Sequence, residues 1–272
     1  MNIYKVLEEA LSSDSIIVKE KLTQQCFAYC SQNEFIDSYG FEPKVFKEPS
    51  YAALCKIVEP RELVTRKDFD TEAGLASLVH AITHIEYSAI DLALDAVYRY
   101  PEMPQSYKID WLVVALDEIR HYEMLSGLLR ELNFKYGDFP VHSGLFDASR
   151  YTAENLLDRM AIIPRYYEAS GLDVTPQILK KLENKRKYPL VKKLIDMLKI
   201  IYSEEIEHVQ KGDFWFKYIC KKENKKPDIY FEILERYHLL EKHRPHFNVD
   251  ARKEAGFSCS EIKLLAKVEC IE

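Results

Sequence analysis

Four stretches of the chain carry positions at intervals of three and four that are apolar at all but one or two places, the spacing of one buried helical face. In the first, Val79, Ile82, Ile90, Ala93 and Val97 share a face. In the second, within "WLVVALDEIRHYEMLSGLLREL", the face runs Trp111, Val114, Leu125, Leu128, Leu132. The third carries Leu157, Ala161 and Pro164, and the fourth Leu194, Leu198, Ile201, Gly212 and Trp215. These patterns predict long helices over about 71–100, 107–132, 152–170 and 189–220. Pro101 ends the first, Gly171 is the expected stop of the third, and Pro164 should kink the third or displace one of its backbone hydrogen bonds.

Shorter periodic runs predict one or two helices within 1–32, a short basic helix over 176–187, one near 228–240 and a last one near 259–268. Residues 33–70 read as irregular, broken by Pro43, Pro49 and Pro60, and a loop with Gly137, Pro140 and Gly144 follows the second long helix. Strict alternation is rare, so the expected class is all-α. The domain reading is an N-terminal helical extension (1–60), a four-helix bundle (61–225) and a C-terminal helical extension packed on it (226–272).

Each apolar face is interrupted by ionisable residues where Leu or Ile would be expected. Glu118 and His121 sit in the second face, and Glu205 and His208 in the fourth, so Glu-x-x-His occurs twice, as "EIRH" and "EIEH". Glu86 lies at the centre of the first face and Glu168 closes the third. The order along the chain is Glu, Glu-x-x-His, Glu, Glu-x-x-His on four successive helices. A Glu from each of two helices and Glu-x-x-His from each of the other two is the ligand set of di-iron and di-manganese carboxylate bundles.

The chemistry explains the pattern. Residues three apart on a helix project to one side, so the Glu and His of one motif can reach one point. Four carboxylates and two imidazoles in an apolar core are costly to desolvate alone, and two cations make them mutually satisfied. One Glu-x-x-His is weak evidence, since Glu-rich helices produce it by chance. Two copies on apolar seams, with a core-facing Glu on each remaining helix, are far more specific. Glu154 is the alternative to Glu168, while Glu204 and Glu207 fall off the seam.

Composition narrows the remaining possibilities. The chain has 272 residues, 47% hydrophobic and 30% charged, an ordinary globular balance. No apolar run approaches the roughly 20 residues needed to cross a bilayer. The acidic start "MNIYKVLEEALSSDS" argues against export, and the six scattered cysteines show no paired zinc spacing. A cytoplasmic location with free thiols is expected. A net charge of −6 argues against general nucleic-acid affinity. The basic segments 180–193 and 221–226 read either as solvated helix faces or as a patch for an acidic partner.

Other polar residues read as support. His80 and His84 are one turn apart, but His84 shares a polar stripe with Ser88, Asp91 and Asp95, turned away from Glu86. Hydrogen bonding suits it better than ligation, and Asp91 is a candidate to orient a metal-bound histidine. Tyr87, Tyr122, Tyr167 and Tyr202 lie beside the candidate ligands or on the adjoining turn. Most buried tyrosines pack and hydrogen-bond, so a redox role is the exception. His243, His246 and "NVDARKEAGFS" form a C-terminal loop expected to cross the bundle.

The stretches "LVHAITHIEYSAIDLALDA", "DEIRHYEML", "YGDFPVHSGLFD", "MAIIPRYYEASGLDVTP", "EEIEHVQKGDFWF" and "PHFNVDARKEAGFS" resemble a family of the ferritin-like superfamily catalogued as domain of unknown function 455. They cover most of the chain from about Arg61 to Cys259. The resemblance implies a ferritin-like four-helix bundle and carries the ligand set onto Glu86, Glu118, His121, Glu168, Glu205 and His208. More distantly the pattern looks like the di-iron hydroxylase of a tRNA base and other ferritin-like oxygenases.

The expected function is therefore that of a non-haem di-iron, or mixed iron–manganese, oxidase or hydroxylase. O₂ is its co-substrate, its substrate a small organic molecule or an RNA, and an electron donor its partner. A homodimer is compatible with this reading. Glu118 and Glu205 are the expected bridging carboxylates, and His121 and His208 the terminal ligands. The rival expectations are a ferroxidase or iron-handling protein, and a binding protein whose metal is structural.

Overall fold

A computed structural model describes residues 1–33, 38–63, 68–240 and 246–270. All regular elements among them are helical, and the β-pairing is a single parallel bridge between Ile57 and Val141. No helix among the described residues is long and apolar enough to cross a membrane. The chain divides into two compact units, residues 1–147 with 185–197, and residues 148–184 with 198–272.

The first unit contains α1 (Ile3–Ser12), α2 (Ile16–Gln32), α3 (Glu72–Arg99) and α4 (Gln105–Glu131). α3 starts where the Thr71 hydroxyl accepts a hydrogen bond from the Gly74 amide, 3.1 Å away, satisfying an otherwise open first-turn donor. α4 starts after Pro104, and a five-residue turn over 100–104 returns the chain so that the two helices pack along each other. Val79, Ile90, Val97, Val114, Leu125 and Leu128 are fully buried. α1 and α2 add a layer, held by Lys19, whose buried ammonium lies 2.5 Å from Asp91 of α3 and 2.8 Å from the Ala10 carbonyl.

In the second unit, α6 (Leu156–Ile162) runs into a π-helical turn over Ile163–Glu168 and then α7 (Ala169–Glu183). α5 (Gly144–Tyr151) and α8 (Pro189–Lys222) straddle the two units. α9 (Ile229–Arg236), α10 (Val249–Glu254) and α11 (Cys259–Ala266) complete the chain. α11 opens with a capping box in which Ser258 and Glu261 satisfy each other's backbone amides.

Three expectations about the elements are corrected. The third long helix does not stop at Gly171. That glycine has no left-handed backbone, and the buried Leu172 and the ion-paired Asp173 lie just beyond it, so packing carries the helix through to Glu183. The separate basic helix expected over 176–187 is thus the end of α7. Pro176 lies inside it and cannot bond the Leu172 carbonyl, which instead accepts from the Asn248 side chain at 3.2 Å. Upstream, Pro164 is accommodated by the π turn, the displacement its position predicts. Residues 144–151, read as loop, form α5.

A further correction concerns the thiols. Cys259 and Cys270 form a disulfide, while Cys26, Cys30, Cys55 and Cys220 are free and buried. After α11 the chain reverses at Lys267, whose φ of 56° is left-handed, and the tail brings Cys270 back to Cys259.

One hydrogen-bonded core fixes the π turn. The guanidinium of Arg165, fully buried, lies 4.3–4.6 Å from the ring centres of Phe216, Tyr230 and Phe257. It pairs with Glu261 at 2.6 Å and Asp213 at 3.0 Å, and its carbonyl accepts from the Tyr230 hydroxyl. Gly212 of α8 lies against the Pro164 ring so closely that any Cβ there would overlap it.

Candidate metal centre

In the first unit the two packed helices bring three of the sequence-assigned residues together. Glu86 comes from α3, and Glu118 and His121 from successive turns of α4. All three are buried, His121 completely. His121 Nδ1 lies 3.3 Å from Glu86 Oε2 and 3.3 Å from Glu118 Oε2. One donor atom from each of the three falls within 4.8 Å of the others. The apolar seam residues above and below give these groups a low-dielectric wall, where opposite charges attract strongly.

That environment decides the protonation of His121. Burial disfavours the imidazolium, but hydrogen bonds and charge from Glu118 and Glu86 outweigh it and raise the pKa to about 11. The proton held there stands where a cation would reconcile the two carboxylates. Oxygen donors with one imidazole suit a divalent iron, manganese or zinc ion rather than a soft thiophilic one.

The second unit carries the other Glu-x-x-His motif. On α8, His208 is buried and its Nδ1 lies 3.7 Å from Glu205 Oε1, with Glu205 partly buried. The repeated spacing gives the repeated geometry, since both motifs place Glu and His on one face three residues apart. Glu168 occupies the last position of the π turn, half-buried. Glu204 is half-buried and Glu207 exposed.

The remaining candidates separate clearly. His84 makes hydrogen bonds through both ring nitrogens, Nδ1 to the Tyr136 hydroxyl and Nε2 to the His142 carbonyl, each at 2.9 Å. His80 Nε2 accepts from the Gly137 amide at 2.9 Å. Among the described residues Asp91 pairs with Lys19 of α2 and accepts from the Ser50 hydroxyl at 2.5 Å, in the 3₁₀ turn at Ser50–Ala53, rather than orienting a histidine. Tyr202 accepts from Asn248 at 2.7 Å. In the basic segment, Lys185, Lys192 and Lys193 pair with Asp70, Asp196 and Glu131. His246 is exposed, and His243 lies outside the described residues.

Sequence reasoning passed over Tyr136 and His142, which come from the loop after α4 and have no helical period. It also passed over Lys19 and Arg165, whose partners lie 72 and 96 residues away for their closest carboxylates.

The chain matches the family described as "Protein of unknown function (DUF455)" over residues 12–263, and it belongs to that family. An uncharacterized protein of Haemophilus influenzae is 34% identical to it over 238 residues, covering 84% of this chain and 81% of its own length. No solved structure matches the chain.

Proposed function

We propose that this protein is a non-haem di-metal carboxylate oxidase or hydroxylase of ferritin-like architecture, using two iron ions, or iron with manganese. The observation that carries the reading is the buried triplet Glu86–Glu118–His121, in which two carboxylates converge on one imidazole inside an apolar helix pair. Its motif recurs as Glu205 and His208 on α8. We assign Glu86, Glu118 and His121 to the metal pair together with Glu168, Glu205 and His208. Glu118 and Glu205 would each help to hold the ions through the carboxylate of a Glu-x-x-His motif.

The bound pair would supply O₂ reduction and oxidation of an organic substrate. The residues of the chain do the rest. Glu86 and Glu118 contribute charge that offsets the cations, His121 and His208 each give one neutral nitrogen, and the buried seams exclude water. The substrate is a small organic molecule or an RNA, and turnover draws on an electron donor.

Anaerobic loading with ferrous ion followed by exposure to O₂ tests the reading. The loaded protein should consume O₂ and develop a near-ultraviolet absorption that bleaches on reduction. Glu118→Ala and His208→Ala should each lose most of the bound metal while keeping helical circular dichroism, and Glu204→Ala should retain it. Metal bound without O₂ consumption would make the site structural, and full occupancy in Glu118→Ala and His208→Ala would defeat the ligand assignment.

A further inference from the structure

Within the first unit, Tyr136 stands at the centre of a buried aromatic cluster. Its ring stacks on Tyr87 with centres 5.3 Å apart and planes 14° from parallel. It meets Tyr122 edge-on at 5.4 Å, and Tyr87 and Tyr122 are themselves 5.5 Å apart. Tyr87 directly follows Glu86 in the chain, and Tyr122 directly follows His121. His80 also stacks on the Tyr136 ring at 5.2 Å. The ring contacts are therefore continuous from Tyr136 to the residues adjoining two proposed ligands.

The phenol has a defined proton acceptor. The Nε2 atom of His84 faces the His142 carbonyl, which can only accept, so Nε2 carries the ring proton. In a neutral imidazole Nδ1 is then the acceptor, and the Tyr136 hydroxyl donates to it across 2.9 Å. The loop that carries Tyr136 is pinned. The Gly137 amide donates to His80, Val141 pairs with Lys56 and Val58, and Gly137 adopts φ +103° against the Leu54 carbonyl, where a side chain would clash. The buried, free Cys55 thiol is electrostatically coupled to the same phenol.

We propose that Tyr136 is a redox-active residue that is reversibly oxidised to a neutral tyrosyl radical, with His84 taking its proton. One electron passes to a one-electron oxidant, which is reduced by one. The Oη–H bond breaks and an Nδ1–H bond forms on His84, while Nε2–H stays with the His142 carbonyl. An electron from a one-electron donor, with return of the proton, restores the phenol. The identity of the natural oxidant rests on the metal reading, in which the oxidised metal pair supplies it; the redox competence of Tyr136 does not. Burial holds the phenol far above its ordinary pKa, so it does not ionise on its own at neutral pH, and loss of the electron must carry the proton with it.

The test uses the full chain without metal and a flash-generated ruthenium(III) polypyridyl complex as oxidant, followed by electron paramagnetic resonance. Wild-type protein should give a long-lived tyrosyl signal coupled to one exchangeable hydrogen-bonded deuteron. Tyr136→Phe should lose the long-lived signal, leaving only the short-lived radicals of exposed tyrosines. His84→Gln should lose the coupled deuteron and shorten the lifetime, and Cys55→Ala should keep both. A long-lived signal that survives in Tyr136→Phe, or that disappears in Cys55→Ala but not in Tyr136→Phe, would overturn the proposal. Because no metal is added, this outcome is read separately from the fate of the metal reading.

Discussion

At the scale of single residues, the molecule is organised by buried charges whose partners lie far off in sequence. His121 is held between Glu86 and Glu118, Lys19 against Asp91, Arg252 against Asp173, and Arg165 between Asp213 and Glu261. Breaking such a pair by removing one partner costs roughly 3–5 kcal/mol, because the remaining charge stays buried. The Arg165 pair also sets a pH dependence. Burial raises the carboxyl pKa of Glu261, but the charge and hydrogen bond of Arg165, with the Ser258 bonds, outweigh it and hold it below the ordinary value. A lowered folded pKa means that Glu261 contributes stability above its ordinary range and loses that contribution as pH falls through its folded value. Urea unfolding at neutral and at acid pH should therefore show the wild type losing more stability on acidification than Glu261→Gln. Parallel losses in the two proteins would contradict the assignment.

At the scale of elements, the apolar seams made α3, α4 and α8 legible from the sequence, with boundaries within two residues. The same seams singled out Glu86, Glu118 and His121, which the structure gathers. The third helix was harder. Its path depends on Pro164 meeting Gly212 and on Asn248 rescuing the Leu172 carbonyl, and neither contact leaves a periodic trace in the chain. Tyr136 was illegible for a similar reason, since its partners His84 and Tyr87 come from α3, while it sits in a loop. The Pro164–Gly212 contact makes a sharp prediction. Gly212→Ala adds a methyl where there is no room and should destabilise the protein by about 1–3 kcal/mol, although alanine is the better helix former. A neutral or stabilising result in thermal unfolding would show that this packing is not as tight as drawn.

At the scale of the whole molecule, the chain is helical and belongs to the DUF455 family, and the proposed function rests on its two Glu-x-x-His motifs. The repeated Glu-x-x-His motif is the reason to expect two metal ions rather than one, because a single triplet needs no second copy. Storage of iron would demand a large cage of subunits, whereas a centre for oxidation works in a monomer or homodimer. The most direct measurement of the central claim is metal content per chain, by elemental analysis after anaerobic ferrous reconstitution and removal of loosely bound ion. A di-metal centre requires about two metal ions per chain, as in the di-metal carboxylate bundles. A reconstituted, folded protein that retains no transition metal would contradict it.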